Sequence, residues 1–344
     1  MGAKHISIDI GESHVKVVDA QIQGNKIHIQ NLGITTIEKT FFTTESEKIL
    51  EEGADKIVKL LDTLKITQRS AAIVISDGQS FNQIVEMPQL NEKELLSAIR
   101  YQADQFIPMP LDEINIDVEV LLEDKKKKKI EALISAAPKK VVEKVQQLIE
   151  ESGLIPESIE TEISAFGRLA SALFSQKSET SGVGKMFVNM GTSSTSLYFF
   201  DESIGLLSAS HSFASGYDLF VKEITVNLNV DIKKASDMLS AFGLTGSAAS
   251  HDLTNILTPA IKQLMGEIQK FTMLITEKQA GHIKSIHLIN NAVQFPAIEK
   301  IIERYFGIPT SIFDLNPYLV QNNIVAANKA QLPYFLPVIG ANLR

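Results

Sequence analysis

The sequence predicts an α/β protein with two lobes, and three observations support this. At 344 residues the chain is long enough for two domains with separate cores. Two segments about 180 residues apart, DIGES at Asp9–Ser13 and NMGTSSTS at Asn189–Ser196, each place a glycine turn after an apolar strand. A polar stretch of small residues without periodicity, 175–184, lies between them. We therefore expect two halves that close on one ligand.

Composition narrows the classes of function. The formal net charge of −8 argues against nucleic acid as a partner, because phosphate backbones are bound through basic surfaces. The absence of cysteine removes disulfides, thiolate catalysis and sulfur-ligated zinc, so any metal should be magnesium held by oxygen atoms. No apolar run is long enough for a membrane span and no signal core is present. We expect a cytoplasmic protein without a transmembrane segment.

The first lobe is predicted to open as three strands, a helix and a strand. Apolar residues alternate in the strands, and a stripe with helical spacing runs to Leu64. The predicted ranges are Ile6–Ile10, Val15–Ala20, Ile27–Leu32, a helix over Glu45–Leu64 and a strand over 71–76.

A small α/β subdomain is predicted to be inserted next, in the order strand, helix, two strands, helix, strand. Its first helix begins at Asn91, with Glu94 placed to complete a reciprocal cap. Its second helix starts at Pro138 and stops at Gly153. Five consecutive lysines, Lys125–Lys129, lie between the two middle strands. They indicate either a solvated hairpin tip or a contact with anionic lipid or an acidic partner.

The second lobe is predicted from the strand before Asn189 onward. It comprises a hairpin through Gly205, helices near 217–228 and 232–241, a loop over 243–250, a long helix from about Leu253 to Gln279, a strand over 285–289 and a helix near Pro296. The last segment is expected to pack back on the first lobe. The predicted boundaries are 1–80 for the first lobe, 81–162 for the insertion, 163–178 for the return, 183–318 for the second lobe and 319–344 for the last segment.

The two glycine turns carry residue types suited to phosphate. Glycine lets backbone N–H groups approach an anion, while hydroxyls and Lys16 add donors. Asp9 could hold a magnesium ion through water. The alternative is an ordinary β-turn at Asp9 and Gly11 with a solvated Lys16.

The segment Met87–Asp117 resembles the signature of the PilM family of type IV pilus assembly proteins. It reads MPQLNEKELLSAIRYQADQFIPMPLDEINID, and the matching positions are Pro88, Glu94, Leu95, Ala98, Ile99, Gln102, Ala103, Gln105, Ile107, Pro108, Pro110, Leu111 and Asp117. The resemblance implies an actin-like (RNase H-like) two-lobed fold with a small inserted α/β subdomain in the first lobe. It also implies a relationship to the division protein FtsA.

The resemblance further implies an ATP and Mg²⁺ site. Its residues would be Asp9, Gly11, Ser13, Lys16, Asn189, Gly191, Thr192, Ser194, Thr195, Gly216, Asn290 and Asn291, with Asp9 also serving the metal. Three departures point to weak or lost binding. Asn189 replaces an acid, Asn290 and Asn291 replace a glycine pair, and the family's Ala-Glu and later Lys, which bracket the ribose, appear here as Ala235, Ser236 and Leu239. Each lost contact costs about 1–3 kcal/mol.

The same resemblance implies a partner. In the PilM family a groove beside the inserted subdomain holds the N-terminal cytoplasmic peptide of PilN, a bitopic inner-membrane protein. Met87, Ile107, Met109 and Leu111 are the candidate contacts, although core and turn packing explains each of them as well. The implied protein is a cytoplasmic adapter, peripheral to the inner membrane, which forms a ring or filament and links the membrane platform indirectly to the pilus motor ATPase.

The alternative is an active actin-like protein that binds and hydrolyses Mg-ATP, whether in a pilus, in type II secretion (GspL-like) or in division (FtsA-like). A sugar kinase would need a carboxylate base beside the substrate hydroxyl, and no convincing candidate appears in the sequence. No catalytic residue is therefore predicted, and we expect weak or absent ATPase activity.

Overall fold

The computed structural model describes residues 5–90, 94–95, 97–101, 107–125, 128–174, 182–245, 253–279 and 282–344. The chain divides into two compact units. Unit 1 comprises residues up to Ala170 together with Ser208–Ser210 and Pro337–Arg344. Unit 2 comprises Ser171–Leu207 and His211–Leu336.

Unit 1 is built on a five-stranded sheet and a smaller three-stranded sheet. Its elements are β1 (Ile6–Ile10), β2 (His14–Gln23), β3 (Lys26–Thr36), α1 (Glu47–Leu64), β4 (Ser70–Ile75), β5 (Phe81–Pro88), β6 (Ile114–Asp124), β7 (Lys129–Pro138), α2 (Lys139–Glu151), β8 (Ile155–Thr161) and α3 (Glu162–Leu173). The strand order is β3-β2-β1-β4-β8 in the larger sheet and β5-β7-β6 in the smaller one.

Strand β1 lies at the centre of the larger sheet and all five of its residues are buried. It pairs antiparallel with β2 and parallel with β4, and β4 pairs parallel with β8. Helices α1 and α2 cover one face of this sheet, where Ile57, Leu61 and Leu148 join the strand residues in one core. Because parallel strands point the same way, β1, β4 and β8 end at one common edge.

Two predicted helix starts are shifted by one or two residues. Helix α1 begins at Glu47 with Ser46 as its N-cap, rather than at Glu45. Helix α2 begins at Lys139, because Pro138 has the extended angles φ −54° and ψ 134° that suit the residue before a helix. Residues 94–95 and 97–101 are helical, whereas the predicted cap at Asn91 lies outside the described residues.

The short helix α9 (Leu336–Asn342) packs within unit 1. The Ser7 hydroxyl donates to the Val338 carbonyl at 2.6 Å, and the Asn342 side chain donates to the His5 carbonyl at 2.9 Å. Gly340 lies so close to α3 that a Cβ there would meet the Ala165 carbonyl oxygen at 2.0 Å.

Unit 2 repeats the sheet plan of unit 1. Its elements are β9 (Val183–Met190), β10 (Thr195–Asp201), β11 (Leu206–Phe213), α4 (Tyr217–Leu228), α5 (Ile232–Phe242), α6 (Leu253–Gln279), β12 (His282–Asn290), α7 (Ile298–Phe306), β13 (Thr310–Ile312) and α8 (Asn323–Asn328). The order β11-β10-β9-β12-β13 matches that of the larger sheet in unit 1, position by position. None of the helices in the described ranges has the length and apolarity that crossing a membrane requires.

Candidate functional site

The first glycine turn joins β1 to β2 in unit 1. The Gly11 N–H donates to the His14 carbonyl at 2.9 Å, and a Cβ on Gly11 would lie 3.0 Å from that oxygen, so glycine suits this tight turn. Ser13 Oγ lies 2.8 Å from His14 Nδ1. Burial, followed by the charges of Lys16 and Lys39, lowers the pKa of His14. His14 is therefore favoured as a neutral ring at neutral pH.

Asp9 and Lys16 form a buried ion pair beside this turn. They are opposite each other in the β1–β2 register, and Lys16 Nζ lies 2.8 Å from Asp9 Oδ2. Asp9 is 0% exposed and Lys16 is 4% exposed, which excludes the solvated lysine of the alternative interpretation. Asp9 Oδ1 is also buried, and it has no hydrogen-bond partner among the described residues.

Two further carboxyl groups, which sequence reasoning missed, lie near Asp9. Asp77 follows β4 and Glu162 opens α3 directly after β8; the Asp77 N–H donates to Glu162 Oε2 at 3.0 Å. Burial, followed by the charges of Asp77 and Asp9, raises the pKa of Glu162 to about 8, while the charge of Lys16 and the hydrogen bond from the Asp77 N–H oppose the shift. Both acids lie within two residues of the end of a strand parallel to β1, which is the signal that could have identified them.

This arrangement tests the expectation of magnesium at Asp9. One Asp9 oxygen accepts from the Lys16 ammonium, and Glu162 is held in its protonated form at neutral pH. Within the described part of the chain, no three His, Asp or Glu side chains form a group that could hold a metal ion. The unit 1 residues therefore offer a lysine that is already paired with Asp9, and a poor set of metal ligands.

The second glycine turn joins β9 to β10 in unit 2, and the structure brings the predicted residues together there. The Gly191 N–H donates to the Ser194 carbonyl at 2.8 Å, and Thr195 Oγ1 donates to the Ser215 carbonyl at 2.6 Å. The turn also caps α4, because its Gly191 carbonyl accepts from the Tyr217 N–H at 3.0 Å. Gly216 lies against this turn, where a Cβ would meet the Thr192 carbonyl oxygen at 2.4 Å.

The third turn follows β12, and its asparagines are bonded inside the protein. Asn290 adopts φ 61° and ψ −132°, a backbone conformation that glycine adopts without strain. Its side-chain amide donates to Asn189 Oδ1 at 3.1 Å, and the Asn189 amide donates to the Tyr198 hydroxyl at 3.0 Å. The Tyr334 hydroxyl donates to Asn291 Oδ1. Both ends of the Asn189 amide are engaged inside the protein, and its neutral oxygen is a weaker ligand for magnesium than a carboxylate.

The four predicted partner contacts occupy two apolar clusters of the inserted subdomain. Met87 is 3% exposed and packs with Ile99, Ile130, Ala132 and Ile134. Ile107 is 5% exposed and packs with Ile114 and Ala136, with Met109 and Leu111 partly buried at the edge of this cluster. Met87 and Ile107 therefore lie in core positions rather than on an accessible surface.

A groove of about 650 Å³ in unit 1 provides a different candidate surface, which sequence reasoning also missed. One wall is formed by residues Asn115–Glu119 of β6 and Ser135–Ala137 of β7, and the other by residues 158–161 of β8 with Ser164 and Arg168 of α3. Strands β6 and β8 are each the last strand of their sheet. The groove is thus bounded by two edge strands that come from different sheets, a relation that only the sheet order reveals.

Charged and hydroxyl groups line this groove. Arg168 pairs with Glu160 through two hydrogen bonds, of 2.6 Å and 3.1 Å, and the Ser164 hydroxyl donates to Glu119 at 2.9 Å. Ser158 Oγ is buried in the lining and, in the part of the chain that the structure describes, lacks a hydrogen-bond partner. These groups give the groove a polar lining of hydroxyl, carboxylate and guanidinium groups.

Two sheets that share one strand order, each with a glycine turn between its first two strands, define the class of this protein, the actin-like α/β fold. The chain belongs to the PilM family: the family model described as type IV pilus assembly protein PilM matches residues 7–341.

Solved structures agree with this fold. One is described as the PilM-PilN type IV pilus biogenesis complex; it has a TM-score of 0.84 and 16% sequence identity, covering 99% of this chain and 98% of that chain. Another is the ethanolamine utilization protein EutJ from Carboxydothermus hydrogenoformans, with a TM-score of 0.55 and 9% identity, covering 98% of this chain and 89% of that chain.

Proposed function

We propose that this protein is a cytoplasmic adapter of type IV pilus assembly that binds the N-terminal peptide of PilN in the groove between β6 and β8. Family membership supports the role in pilus assembly, and the described complex of a similar protein supports PilN as the partner. The observation that carries the proposal is the groove itself, with its two edge strands. Bound through PilN, the protein would lie at the inner membrane and link the platform to the motor, either as single copies or as a ring or filament.

The groove fits an extended peptide for two reasons. An edge strand presents unpaired backbone N–H and C=O groups, to which a peptide strand can add. Side chains from the exposed face of β6, among them Asp117 and Glu119, then lie beside Arg168 and Arg344 and can select a sequence. In this proposal Met87 and Ile107 support β5 and β6 from behind and do not touch the peptide.

A peptide titration tests this function. We expect a peptide with the N-terminal sequence of the PilN encoded alongside to bind the full chain saturably. Asp117→Lys reverses one lining charge and fills part of the groove, so it should raise the Kd at least about tenfold. Asp112→Lys makes the same change on an exposed residue outside the groove and should leave the Kd within about twofold. Equal effects of the two variants, or no binding by the wild type, would overturn the proposal.

We also propose that nucleotide is bound weakly or not at all. The Asn189–Asn290 hydrogen bond, the neutral Asn189 and the Asp9–Lys16 ion pair support this. A ligand present at about 100 times its Kd stabilises a protein by about 2.7 kcal/mol, so a thermal-shift titration with millimolar Mg-ATP is sensitive. We expect no saturable shift. A clear shift in the wild type would favour the alternative of an active Mg-ATP-binding protein.

The cause of the weak nucleotide binding can be tested in the same thermal-shift assay. Replacing both Asn290 and Asn291 by glycine opens the third turn without backbone strain, because Asn290 already has a positive φ. If their side chains exclude the nucleotide, this double variant should gain a shift that the wild type lacks. If it does not, the loss of the second carboxylate at Asn189 is the stronger cause.

A further inference from the structure

We propose that the β6–β7 hairpin tip, which we call the lysine tip, binds the surface of an anionic membrane. The lysine tip is the turn around Lys125 and Lys128, with Val120–Leu122 on the strand that leads into it. The sequence places five lysines in a row here, in a chain whose net charge is −8. The proposal does not depend on the peptide groove.

Two lysines of the lysine tip, Lys125 and Lys128, carry their charge beyond the neighbouring acids. The neighbouring acids Glu123 and Asp124 reduce the local net charge, since five lysines and two acids over 123–129 give a formal charge of +3. Both acids lie in the ladder, however, opposite Ile130 and Lys129. Glu86 lies 2.5 Å from Lys129 on the neighbouring strand. Lys125 and Lys128 lie in the turn beyond these acids and are exposed, with Lys128 at φ 52° completing the reversal.

Apolar side chains accompany these lysines. Val120 is 43% exposed, and Leu121 and Leu122 are only partly buried where the register of β6 shifts between Val120 and Leu122. In a hairpin that contacts only water, three incompletely buried apolar side chains gain no stabilising contact from their exposed surface. A membrane interface accepts both features when the hairpin lies along it, since lysines then meet the anionic head groups while apolar side chains of the same hairpin enter the interfacial boundary.

The identity of the basic residues favours a lipid surface over an acidic protein. All five are lysine, a compact point charge on a flexible stem, and none is the planar, bidentate arginine that recognises carboxylates with defined geometry. Non-directional attraction suits a fluid array of head groups. The strength of this attraction should increase with the number of lysines and decrease as the salt concentration rises.

Vesicle flotation of the full chain tests the proposal. We expect binding to phosphatidylcholine vesicles that contain about one third phosphatidylglycerol, no binding to pure phosphatidylcholine vesicles, and release at high salt. Lys125→Gln with Lys128→Gln should lower the partition coefficient roughly 30-fold, at about fivefold per lysine. The matched control is Lys233→Gln with Lys234→Gln, two exposed lysines of α5, which should change it less than about twofold.

Each other outcome overturns the proposal. These outcomes are no binding by the wild type, equal binding to neutral vesicles, or equal losses in the two double variants. Binding to polyglutamate but not to vesicles would assign the lysine tip to an acidic protein instead. Unchanged thermal unfolding of the variants excludes misfolding as the cause of a loss, and an unchanged Kd for the PilN peptide separates this test from that of the groove.

Discussion

Lys16 Nζ lies 2.8 Å from Asp9 Oδ2, and both side chains are almost completely buried. Removing the lysine alone leaves a carboxylate in a site that excludes water. We expect Lys16→Met to lower the free energy of unfolding by about 3–5 kcal/mol, because an unpaired buried charge is costly. Urea denaturation monitored by circular dichroism measures the change.

The double variant Asp9→Asn with Lys16→Met is the control for this prediction. It removes both charges, so it should recover most of the lost stability. A Lys16→Met protein as stable as the wild type would mean that the pair is not formed in solution.

We expect the free energy of unfolding to depend on pH because of Glu162. Its folded pKa is raised from 4.5 to about 8 by burial first and then by Asp77 and Asp9. Between these values the unfolded chain has lost the proton that the native state still holds, so stability falls as pH rises and levels off above about 8. The slope from this group is at most about 1.4 kcal/mol per pH unit.

Glu162→Gln tests this origin of the slope. The amide oxygen can still accept from the Asp77 N–H, but it does not titrate. Unfolding measured from pH 5 to 8 should therefore show a flatter dependence in the variant than in the wild type. Identical slopes would contradict the raised pKa.

In the inserted subdomain, we expect a substitution by aspartate to cost more unfolding free energy at Ile107 than at Met109. Ile107→Asp places a charge in the cluster with Ile114 and Ala136 and should cost at least about 3 kcal/mol of unfolding free energy. Met109→Asp changes a partly buried side chain and should cost about 1 kcal/mol or less. Thermal denaturation compares the two variants. Peptide binding lost in a stable Met109→Asp protein would return Met109 to the partner surface.

We expect an added methyl group to have opposite effects on stability at two glycines of unit 2. Gly216→Ala places a Cβ 2.4 Å from the Thr192 carbonyl oxygen and should destabilise by about 1–3 kcal/mol. Gly266→Ala, inside α6, meets nothing within 4 Å and should stabilise by about 0.5–1 kcal/mol, because alanine favours a helix. Chemical denaturation of the two variants under one set of conditions decides this. Destabilisation by both would show that the space around Gly266 is smaller than the structure indicates.

The sequence allowed the fold class to be predicted because each lobe repeats strong local signals. Alternating isoleucines in β1, the apolar stripe of α1 and the glycine in each of the first two turns agree with the elements formed. Gly191 and Ser194 form the tight turn that the local pattern indicates, whereas the role of these residues in nucleotide binding stays a prediction. Local patterns sufficed for these features.

Features that depend on sheet order could not be found in this way. Asp77 and Glu162 are 85 residues apart in the chain and meet because β1, β4 and β8 are neighbours. The groove arises where the edges β6 and β8 approach each other. Apolar spacing likewise shows that Met87 and Ile107 are hydrophobic, but not that they face an internal cluster.

The packing of α9 on unit 1 has a consequence for synthesis on the ribosome. Val338 and Asn342, which bond to Ser7 and His5, are translated after all of unit 2. Strand β1 is therefore translated before unit 2 and acquires these neighbours only after it. The contacts of unit 1 can therefore be completed only when translation has passed residue 342, so the earliest part of this unit depends on one of the latest.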